Sequence, residues 1–561
     1  KIYHSDYKAI DHRWGIEVTI DSDKVIEFTV AKLITWGPFK TIYEDNHFLC
    51  IHRYRRILSE DGEGSDYNSI ISAVSYKEGK IITQESVREN IETDPSEGQD
   101  WNWKDLFCFW GVGIQSVIGF SLIASLYVVY DLNTFVVLFG TIFASLLVYF
   151  FSNLIGKPSQ KFGLPFVVLL RSSMGVRGAQ YIGFLRSIVG IFMFGIQTYF
   201  LSKALGYLLR ILIFSIDKTL LQQEIFLIFF IGLNIIDWIS IVVSMALQVI
   251  LFSIGMNYNK KIINISAIFV YSGMALFFFI VLLSDVKFTV NAFLGALSLE
   301  NFVNKNNIIP LITVSGTLFA YFSIVILSFG DFSRYVENEN QLKKGNLTLI
   351  LNLIIFSFFA LFIVIGADAF LKQSPENIEK ILTNPTDIIG KLNNLLLTNL
   401  VLIFIIIASA STNLIANFIP SQYSLINLFP TSLSFKSSGL VIGLIGLIIG
   451  VFWLTVLSQI GILSIIDTIG AFFGPIFGIM ICDYYLIRKG NLINKDIYSL
   501  EKNGSYYFSG GWHIKGTYSL FLGFVFSAST IWNPNLMFLQ SYAWIIGALI
   551  SSITYYFLAK K

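Results

Sequence analysis

Five polar side chains stand inside one apolar run of the sequence, in the stretch SASTNLIAN at 409–417. Asn413 and Asn417 are four residues apart, so a helix would place them on one face. Each side-chain amide offers two donors and an acceptor, which suits the amide and imide edges of a small heterocycle. Such residues also form hydrogen bonds between membrane helices. Because two of them share a face beside Ser411 and Thr412, we favour a binding site.

The two hydroxyl residues of this stretch introduce a second chemistry. Ser411 and Thr412 carry oxygens, and the backbone carbonyl of Ala408 lies shortly before them in the chain. Oxygen ligands suit a small hard cation such as sodium. Helical serine and threonine also bond back to the carbonyl four residues earlier, so the pair alone leaves both roles open.

Gln115 lies in another apolar run, FWGVGIQSVIGF, with Gly111, Gly113 and Gly119 around it. Closely spaced glycines weaken a helix and permit an unwound segment with free carbonyls. Secondary transporters bind substrate and ion at such broken helices near the bilayer midplane. Close packing of a neighbouring helix against the small residues is the alternative. A further glutamine, Gln197, lies in the apolar run FMFGIQTYF.

Long apolar helices must position these residues. The chain has 561 residues, of which 54% are hydrophobic and only 14% charged, whereas a soluble domain usually carries about a quarter charged residues. Runs such as GLVIGLIGLIIGVFWLTVL approach the roughly 20 apolar residues that cross a bilayer as a helix. The sequence therefore predicts an all-α polytopic membrane protein with about twelve transmembrane helices. The predicted spans are 104–129, 133–155, 181–208, 225–252, 262–284, 308–329, 346–370, 397–420, 438–458, 461–487, 515–533 and 538–558.

Composition and motifs exclude several other classes of protein. The three cysteines, Cys50, Cys108 and Cys482, are far apart and form neither a disulfide framework nor a metal pattern. No zinc-helix pattern, nucleophile elbow or phosphate loop occurs, so we predict that the protein is not an enzyme and carries no cofactor apart from a coupling ion. The net charge of +2 gives no indication of a nucleic-acid partner. The expected partners are a small-molecule substrate, a coupling cation and the lipid bilayer.

The basic residues of the loops predict the orientation in the membrane. With twelve spans both termini lie on one side, and the even-numbered connections carry more lysine and arginine than the odd-numbered ones. By the positive-inside bias, the even-numbered connections and both termini are cytoplasmic, in the inner or plasma membrane.

Residues 1–95 differ from the rest because they are polar and alternate apolar with polar residues, as in GIEVTI and NHFLCIHRYRRIL. This pattern predicts a strand-rich soluble segment, which resembles an incomplete α+β cone-type domain and is alternatively a cytosolic cap. Residues 96–103 are predicted to be a linker and 104–561 the transmembrane domain. The chain begins at Lys1 and its first methionine is Met174, so we expect the natural start to lie elsewhere.

Six stretches of the sequence are specific to one family when their order and spacing are taken together. They are RSSMGVRGAQ, FGIQTY, GDFSRY, STNLIANFIPSQYSLINLFP, GPIFGIMICDYYLIRKGNL and IYSLEKNGSYYFSGGW. From about residue 104 to 533 the chain resembles the nucleobase:cation symporters of the purine–cytosine permease type, a family that includes a bacterial sodium–hydantoin transporter.

The resemblance implies a 5+5 inverted-repeat core, in which spans 1–5 and 6–10 form two inverted repeats and two peripheral spans follow. Spans 1 and 6 would be interrupted, with the substrate site between them and spans 3, 8 and 10. The implied substrate-binding residues are Gln115, Met193, Gln197, Phe322, Asn413, Asn417 and Ile466. The implied sodium ligands are Gly111, Ile114, Ala408, Ser411 and Thr412. Met193 and Phe322 stand where the family commonly stacks its substrate ring between two tryptophans, so we expect an altered substrate preference.

The resemblance and the polar residues lead to one main hypothesis. The protein is a secondary active transporter for cation-coupled symport of a small polar heterocycle such as a nucleobase, hydantoin or allantoin, with sodium favoured over the proton because both hydroxyls are present. The alternatives are a related vitamin or nucleoside as the substrate, or a membrane substrate sensor that signals through the N-terminal segment. A third hypothesis makes residues 1–95 part of an enzyme, with His47, His52 and Glu44 as its only candidate residues.

Overall fold

The computed structural model describes residues 99–560, apart from 129–131, 298–306, 373–382, 390–394, 430–431, 454–461, 501 and 503, together with six strands before residue 83. The chain divides into two compact units, Lys1–Glu89 and Asn90–Lys561. His47 and residues 96–98 of the predicted linker lie outside the described residues.

The described part of the first unit consists of strands. They are β1 (Ile16–Asp21), β2 (Lys24–Val30), β3 (Lys40–Glu44), β4 (Phe48–Leu58), β5 (Ser65–Lys77) and β6 (Lys80–Ile82). β1 and β2 pair antiparallel, and β3 to β6 form a second antiparallel sheet in sequence order. The longest pairing joins β4 and β5, from Phe48 opposite Ser75 to Leu58 opposite Ser65. Alternation of apolar and polar residues is typical of such strands.

The second unit is helical. Before residue 298 its α-helices are α1 (Trp103–Ile114), α2 (Val117–Val128), α3 (Thr134–Phe162), α4 (Phe166–Leu169), α5 (Arg171–Ile216), α6 (Glu224–Leu227), α7 (Ile235–Phe252), α8 (Met256–Ser284) and α9 (Val286–Ala296), with a 3-10 turn at Leu220–Gln222.

The remaining helices follow residue 306. They are α10 (Ile308–Leu327), α11 (Gly330–Ser333), α12 (Glu339–Lys372), α13 (Pro385–Ile389), α14 (Leu395–Asn413), α15 (Ile419–Leu428), α16 (Phe435–Trp453), α17 (Ile462–Ile481), α18 (Asn494–Ile497), α19 (Ile514–Trp532) and α20 (Ala543–Ala559). π-helical segments continue α14 at Leu414–Phe418 and α17 at Cys482–Ile487, and a 3-10 helix at Pro534–Tyr542 precedes α20.

Each of the twelve predicted spans coincides with a helical stretch of this unit. Among the described residues, nine helices are long and apolar enough to cross a membrane, and ten if α1 and α2 count as one bent span. The predicted tenth and eleventh spans fall on α17 and α19, which are not among these. The predicted fourth span, 225–252, is too long, because Asn234 and Asp237 form a capping box that begins α7 at Ile235.

The first span is broken, as the resemblance implies. α1 and α2 meet at Gln115 and Ser116 and are bent by 63° relative to each other. The Gln115 N–H donates to the carbonyl of Gly111, whereas the Ser116 N–H reaches only to Ile114. Ser116 then starts α2, because its Oγ accepts the N–H of Gly119 at 2.8 Å.

The sixth span is not broken, which contradicts the implied interruption. α10 runs as one helix along its whole length. Between Thr317 and Ser328 the sequence holds neither glycine nor proline, so this part of the helix lacks the residues that commonly unwind one. The hydroxyls of Ser323 and Ser328 also donate back to carbonyls three and four residues earlier, which is compatible with a continuous helix.

The helical unit begins before the predicted boundary at residue 104. Trp101 is buried, its N–H donates to the carbonyl of Tyr335 at 2.9 Å, and its own carbonyl accepts the N–H of Glu337 at 3.0 Å. The rings of Trp101 and Tyr335 stack with centroids 6.2 Å apart. Trp101 therefore packs as part of the helical unit, although it falls within the predicted linker.

Helix α5 lies against the elements that carry most of the polar residues of interest. It packs against α7, α14, α15 and α16, while α1 packs against α8 and α12. Small residues permit these close crossings. A Cβ at Gly195 of α5, for example, would lie 2.5 Å from the carbonyl oxygen of Gly446 in α16.

The start of α5 is held by the chain just before α19. Gly175 interrupts α5 with a φ of +80°, and the Arg177 N–H donates to the Gly511 carbonyl at 2.8 Å. The His513 N–H donates to the Met174 carbonyl at 2.9 Å. A Cβ at Gly175 would lie 2.6 Å from the Gly511 carbonyl oxygen, so both the backbone conformation and the close approach require glycine.

We expect Gly175→Ala to lower the melting temperature of the purified protein more than Gly510→Ala does. Both glycines have positive φ, +80° and +61°, but the φ and ψ of Gly175, +80° and 170°, lie in a region that is essentially restricted to glycine, where another residue costs of order 1–3 kcal/mol. Gly510 has no atom within 4 Å of its Cβ position, so only Gly175→Ala also forces two backbones apart. Thermal unfolding of both variants in one detergent checks this, and equal shifts would contradict the close approach.

Candidate functional site

At the break between α1 and α2 lies a buried side-chain amide that makes no hydrogen bond with the described residues of the protein. Gln115 is buried, with 3% of its surface exposed, yet among the described residues neither its Oε1 nor its Nε2 has a hydrogen-bond partner. The hydroxyl of Tyr271 in α8 lies beside this amide, but the contact does not have the geometry of a hydrogen bond, so among the described residues the hydroxyl is also buried without a partner. Each such buried polar group costs roughly 1–3 kcal/mol, so this pair marks a place where a ligand can supply the missing bonds.

A hydroxyl pair joins the same break to α10. The oxygens of Ser116 and Tyr321 are 2.7 Å apart, and both residues lie close to Gly119, where a Cβ would be 3.2 Å from the Ser116 Oγ and 3.3 Å from the Tyr321 hydroxyl. The break in the first span is thus fixed to the unbroken sixth span by one hydrogen bond.

The second group of amides lies between α5 and α14. The Asn417 Nδ2 donates to the Asn413 Oδ1 at 2.8 Å and to the Gln197 Oε1 at 3.3 Å. The Gln197 Nε2 in turn donates to the backbone carbonyl of Ser409 at 3.2 Å. All three amides are at most 4% exposed. The structure therefore brings together three of the predicted substrate residues, and no hydrogen bond joins them to Gln115.

Asn413 uses its amide nitrogen to bind neighbouring helices. Its Nδ2 lies 2.9 Å from the Oε1 of Gln248 in α7, 3.1 Å from the Oγ1 of Thr198 and 3.2 Å from the Phe194 carbonyl. Since its Oδ1 accepts from Asn417, both ends of this side chain are engaged with the protein. Asn413 thus makes the interhelical bonds that were the alternative to substrate contact.

A π-helical segment carries Asn417. The chain widens at Leu414–Phe418, and such single-turn widenings leave carbonyls without their usual helical partners and are frequent at functional sites. The Ala416 carbonyl instead accepts from the buried guanidinium of Arg186 at 2.8 Å, which also donates to the Ser328 hydroxyl at 3.1 Å. Arg186 therefore connects α5, the end of α10 and the π-helical segment.

The predicted cation ligands come from two elements that touch. The Thr412 hydroxyl donates to the Val112 carbonyl of α1 and lies 2.9 Å from the Ala408 carbonyl. The Ser411 hydroxyl lies 2.8 Å from the Ile407 carbonyl and 3.1 Å from that of Ala408. The Ser411 hydroxyl thus bonds back along α14, whereas the single hydroxyl hydrogen of Thr412 is directed to α1 beside the break, with the Ala408 carbonyl as its second acceptor.

The predicted ligands on these two elements are oxygen donors of the type that a sodium ion takes. The carbonyls of Gly111 and Ile114 each accept one N–H at the break, and a carbonyl oxygen has a second lone pair. With the Ala408 carbonyl and the two hydroxyls, they supply five neutral oxygens, the ligand type that hard cations prefer.

Two of the three apolar residues predicted at the substrate site are buried near Tyr321, which packs against the cluster that contains Met193 and meets the ring of Phe322. Met193 belongs to a buried apolar cluster with Ile118 of α2, and Val451 and Trp453 of α16. Phe322 is buried, and its ring meets the edge of Tyr321 with centroids 5.0 Å apart. Ile466 lies in α17, where the side chain is outside the described residues. Their contact with a substrate ring stays a prediction.

A cavity of about 40 Å³ opens beside the break. Gln115 and Ser116 contribute its polar wall, and the rest of the lining is largely apolar, from α8, α12, α14 and Pro385 of α13. Its described lining does not include Gln197 or Asn417. The cavity therefore lies on the side of Gln115 that faces α8, and the amides of α5 and α14 lie outside it.

Sequence reasoning missed four polar residues that the structure places here: Ser116, Thr198, Gln248 and Tyr271. A signal was present for Gln248, a single amide in the apolar run ISIVVSMALQVILF, because polar residues within spans are rare unless they have a role. The other three are hydroxyl residues, which occur commonly inside membrane helices, and their spacing carries no comparable signal.

Comparison with known proteins places these elements in context. The family model for permeases for cytosine/purines, uracil, thiamine and allantoin matches residues 94–547. A purine-uracil permease of Arabidopsis thaliana is 27% identical over 373 residues, which cover 66% of this chain and 59% of that protein. An allantoin permease of Bacillus subtilis (strain 168) is 24% identical over 493 residues, which cover 87% of this chain and 96% of that protein.

A solved structure shares the fold. Mhp1, a nucleobase-cation-symport-1 family transporter in a closed conformation with bromovinylhydantoin bound, matches with a TM-score of 0.62 at 18% identity. The match covers 83% of this chain and 96% of that chain.

The two groups of amides should respond differently to the loss of a polar side chain. We expect Asn413→Leu to destabilise the protein, because the Gln248 Oε1 loses its donor and one N–H of Asn417 loses its acceptor, at roughly 1–3 kcal/mol for each buried group. Gln115→Leu should leave stability unchanged or raise it, because that amide makes no hydrogen bond in the protein. Thermal unfolding of the two variants without ligand checks this. A fall in melting temperature in Gln115→Leu as large as the fall in Asn413→Leu would contradict it.

Proposed function

We infer that this chain, which belongs to the family of permeases for cytosine/purines, uracil, thiamine and allantoin, carries a small polar heterocycle of the nucleobase, hydantoin or allantoin class by cation-coupled symport. As a member of that family it is an integral membrane transporter and not an enzyme. The relatives are permeases for purine and uracil and for allantoin, which does not favour the alternative of a membrane sensor.

The observation that carries the proposal is the unsatisfied amide of Gln115 at the break in the first span. A cyclic amide or imide has an N–H beside a carbonyl, so its edge can supply both an acceptor and a donor to a glutamine amide. The Tyr271 hydroxyl adds a further polar group beside the amide. We propose that the same heterocycle also contacts Gln197 and Asn417, although they lie outside the described lining of the cavity, because broken helices in transporters lie at the substrate site.

Sodium is the proposed coupling ion. Gly111, Ile114, Ala408, Ser411 and Thr412 would hold it, with five neutral oxygens from α1 and α14. When bound, the ion supplies a positive charge between the broken first span and the eighth. The Thr412 hydroxyl would have to turn from the Val112 carbonyl, to which it now donates, for its oxygen to face the ion. Oxygen donors without an ionisable group among them support sodium over the proton.

The larger architecture is proposed from the family. We expect twelve spans, with spans 1–5 and 6–10 as inverted repeats and alternating access around the site between them. Both termini would face the cytoplasm, as the loop charges predict.

Uptake into proteoliposomes tests the function. Radiolabelled uracil, hydantoin and allantoin are offered to vesicles with an inward sodium gradient, an inward proton gradient or neither. We expect uptake of at least one of these compounds that depends on the sodium gradient. Absence of uptake for all three compounds, and for a related vitamin and nucleoside, under both gradients would contradict the proposal.

A pair of substitutions at Thr412 tests the ion site. Thr412→Val should raise the sodium concentration for half-maximal uptake by about tenfold, the equivalent of about 1.4 kcal/mol. The substitution replaces the proposed hydroxyl ligand by a methyl group of similar size. Thr412→Ser keeps the hydroxyl and should stay near the unsubstituted protein. Sodium titration of uptake at saturating substrate measures both variants. An unchanged sodium titration in Thr412→Val with a raised substrate KM would contradict the assignment.

A further inference from the structure

We propose that Gln248 of α7 is a positioning residue that, together with Gln197, sets which atom of the Asn417 amide faces the substrate, and that the substrate must therefore bring an N–H donor to Asn417. The inference rests on the proposed function and deepens it by one specificity rule. Gln248 is 3% exposed, and its side chain bonds to Thr198, Ser244 and Asn413, so we propose that its effect reaches the substrate through other side chains.

The orientation of Gln248 is fixed by groups that only accept. Its Nε2 donates to the backbone carbonyl of Ser244 at 3.1 Å and to the Thr198 Oγ1 at 3.0 Å. The Thr198 hydroxyl donates its single hydrogen to the Phe194 carbonyl at 2.8 Å. It can therefore only accept a hydrogen bond from Gln248. The nitrogen of Gln248 must lie at this end, and its Oε1 therefore faces Asn413.

Asn413 transmits this orientation. Its Nδ2 lies within hydrogen-bond distance of three acceptors, the Gln248 Oε1, the Thr198 Oγ1 and the Phe194 carbonyl. A reversed amide would place an oxygen against all three acceptors and lose each bond. The Asn413 Oδ1 is thereby turned towards Asn417.

A second path fixes Asn417 in the same sense. The Gln197 Nε2 donates to the Ser409 carbonyl at 3.2 Å, which can only accept, so the Gln197 Oε1 also faces Asn417. The Asn417 Nδ2 donates to both oxygens, at 2.8 Å and 3.3 Å. Both of its hydrogens are used, and its Oδ1 accepts no hydrogen bond from the described residues.

The chemical consequence concerns the substrate. The remaining group on Asn417 is an acceptor, so a cyclic amide, imide or ureide with a free N–H fits it, and the same ring with that nitrogen methylated does not. A polar site rejects an analogue that lacks the required donor much more strongly than an apolar pocket rejects an extra methyl group. The rule distinguishes N–H substrates from their N-methyl derivatives.

The experiment compares Gln248→Met with a matched control. Gln422 is also buried, and its Nε2 donates to the backbone carbonyl of Phe435 at 2.8 Å. Within the described part of the chain, no hydrogen bond joins it to Asn417. Gln248→Met removes one of the three acceptors of the Asn413 Nδ2, so it weakens one of the two paths that orient the Asn417 amide. Gln422→Met makes the same change of side chain elsewhere in the core.

The readout is the ratio of KM values for N-methyl and N–H forms of one ring. Hydantoin with its 1-methyl and 3-methyl derivatives, and uracil with the same pair, are used in proteoliposomes with the full chain. We expect the unsubstituted protein and Gln422→Met to reject one methyl isomer, and Gln248→Met to lose about tenfold of that discrimination, with a larger change in KM than in kcat.

Substitutions at Thr198 keep the test informative if Gln248→Met does not fold. Thr198→Val removes the hydroxyl that accepts from Gln248 at nearly constant side-chain volume, and it should reduce the discrimination between N–H and N-methyl substrates. Thr198→Ser keeps the hydroxyl and should retain that discrimination. Full discrimination in Gln248→Met or in Thr198→Val, with uptake intact, would overturn this inference alone. Absence of any heterocycle uptake by the unsubstituted protein would overturn the proposed function and this inference together.

Discussion

Hydrocarbon offers no hydrogen-bond partner, so each polar side chain within the membrane-spanning helices needs a partner in the protein or in what the protein binds. This constraint divides the amides of the site. Asn413 donates a hydrogen bond to Gln248, and Gln248 and Gln197 each donate to a backbone carbonyl. These bonds hold α5, α7 and α14 together. Among the described residues Gln115 lacks a hydrogen-bond partner, with the Tyr271 hydroxyl beside it outside hydrogen-bond geometry, and we propose that a substrate supplies the missing hydrogen bonds.

Part of this arrangement could be predicted from local sequence. Three glycines around Gln115 predicted an unwound segment, and the first span breaks there with a 63° bend. The spacing of Asn413 and Asn417 predicted one helical face, and a 2.8 Å bond joins their side chains. Spacing could not show whether that face meets a ligand or another helix, because the partner that decides it, Gln248, is 165 residues from Asn413 in the chain.

Other features depend on the three-dimensional packing or on local residues that the resemblance did not take into account. The sixth span was expected to be interrupted, but it lacks glycine and proline between Thr317 and Ser328 and remains one helix. Tyr271 could not be singled out among 26 tyrosines, since only the fold brings it beside Gly111 and Gln115. The helical unit begins before the predicted boundary at residue 104, because the backbone of Trp101 forms hydrogen bonds with a segment more than 230 residues away.

The central claim is that a bound heterocycle supplies the hydrogen bonds that the Gln115 amide lacks. The most direct measurement is the rise in melting temperature when uracil, hydantoin or allantoin is added in sodium buffer, compared between the unsubstituted protein and Gln115→Leu. The account predicts that a compound that stabilises the unsubstituted protein stabilises Gln115→Leu only at concentrations about tenfold higher or more. Equal stabilisation of both proteins at the same concentrations would contradict it.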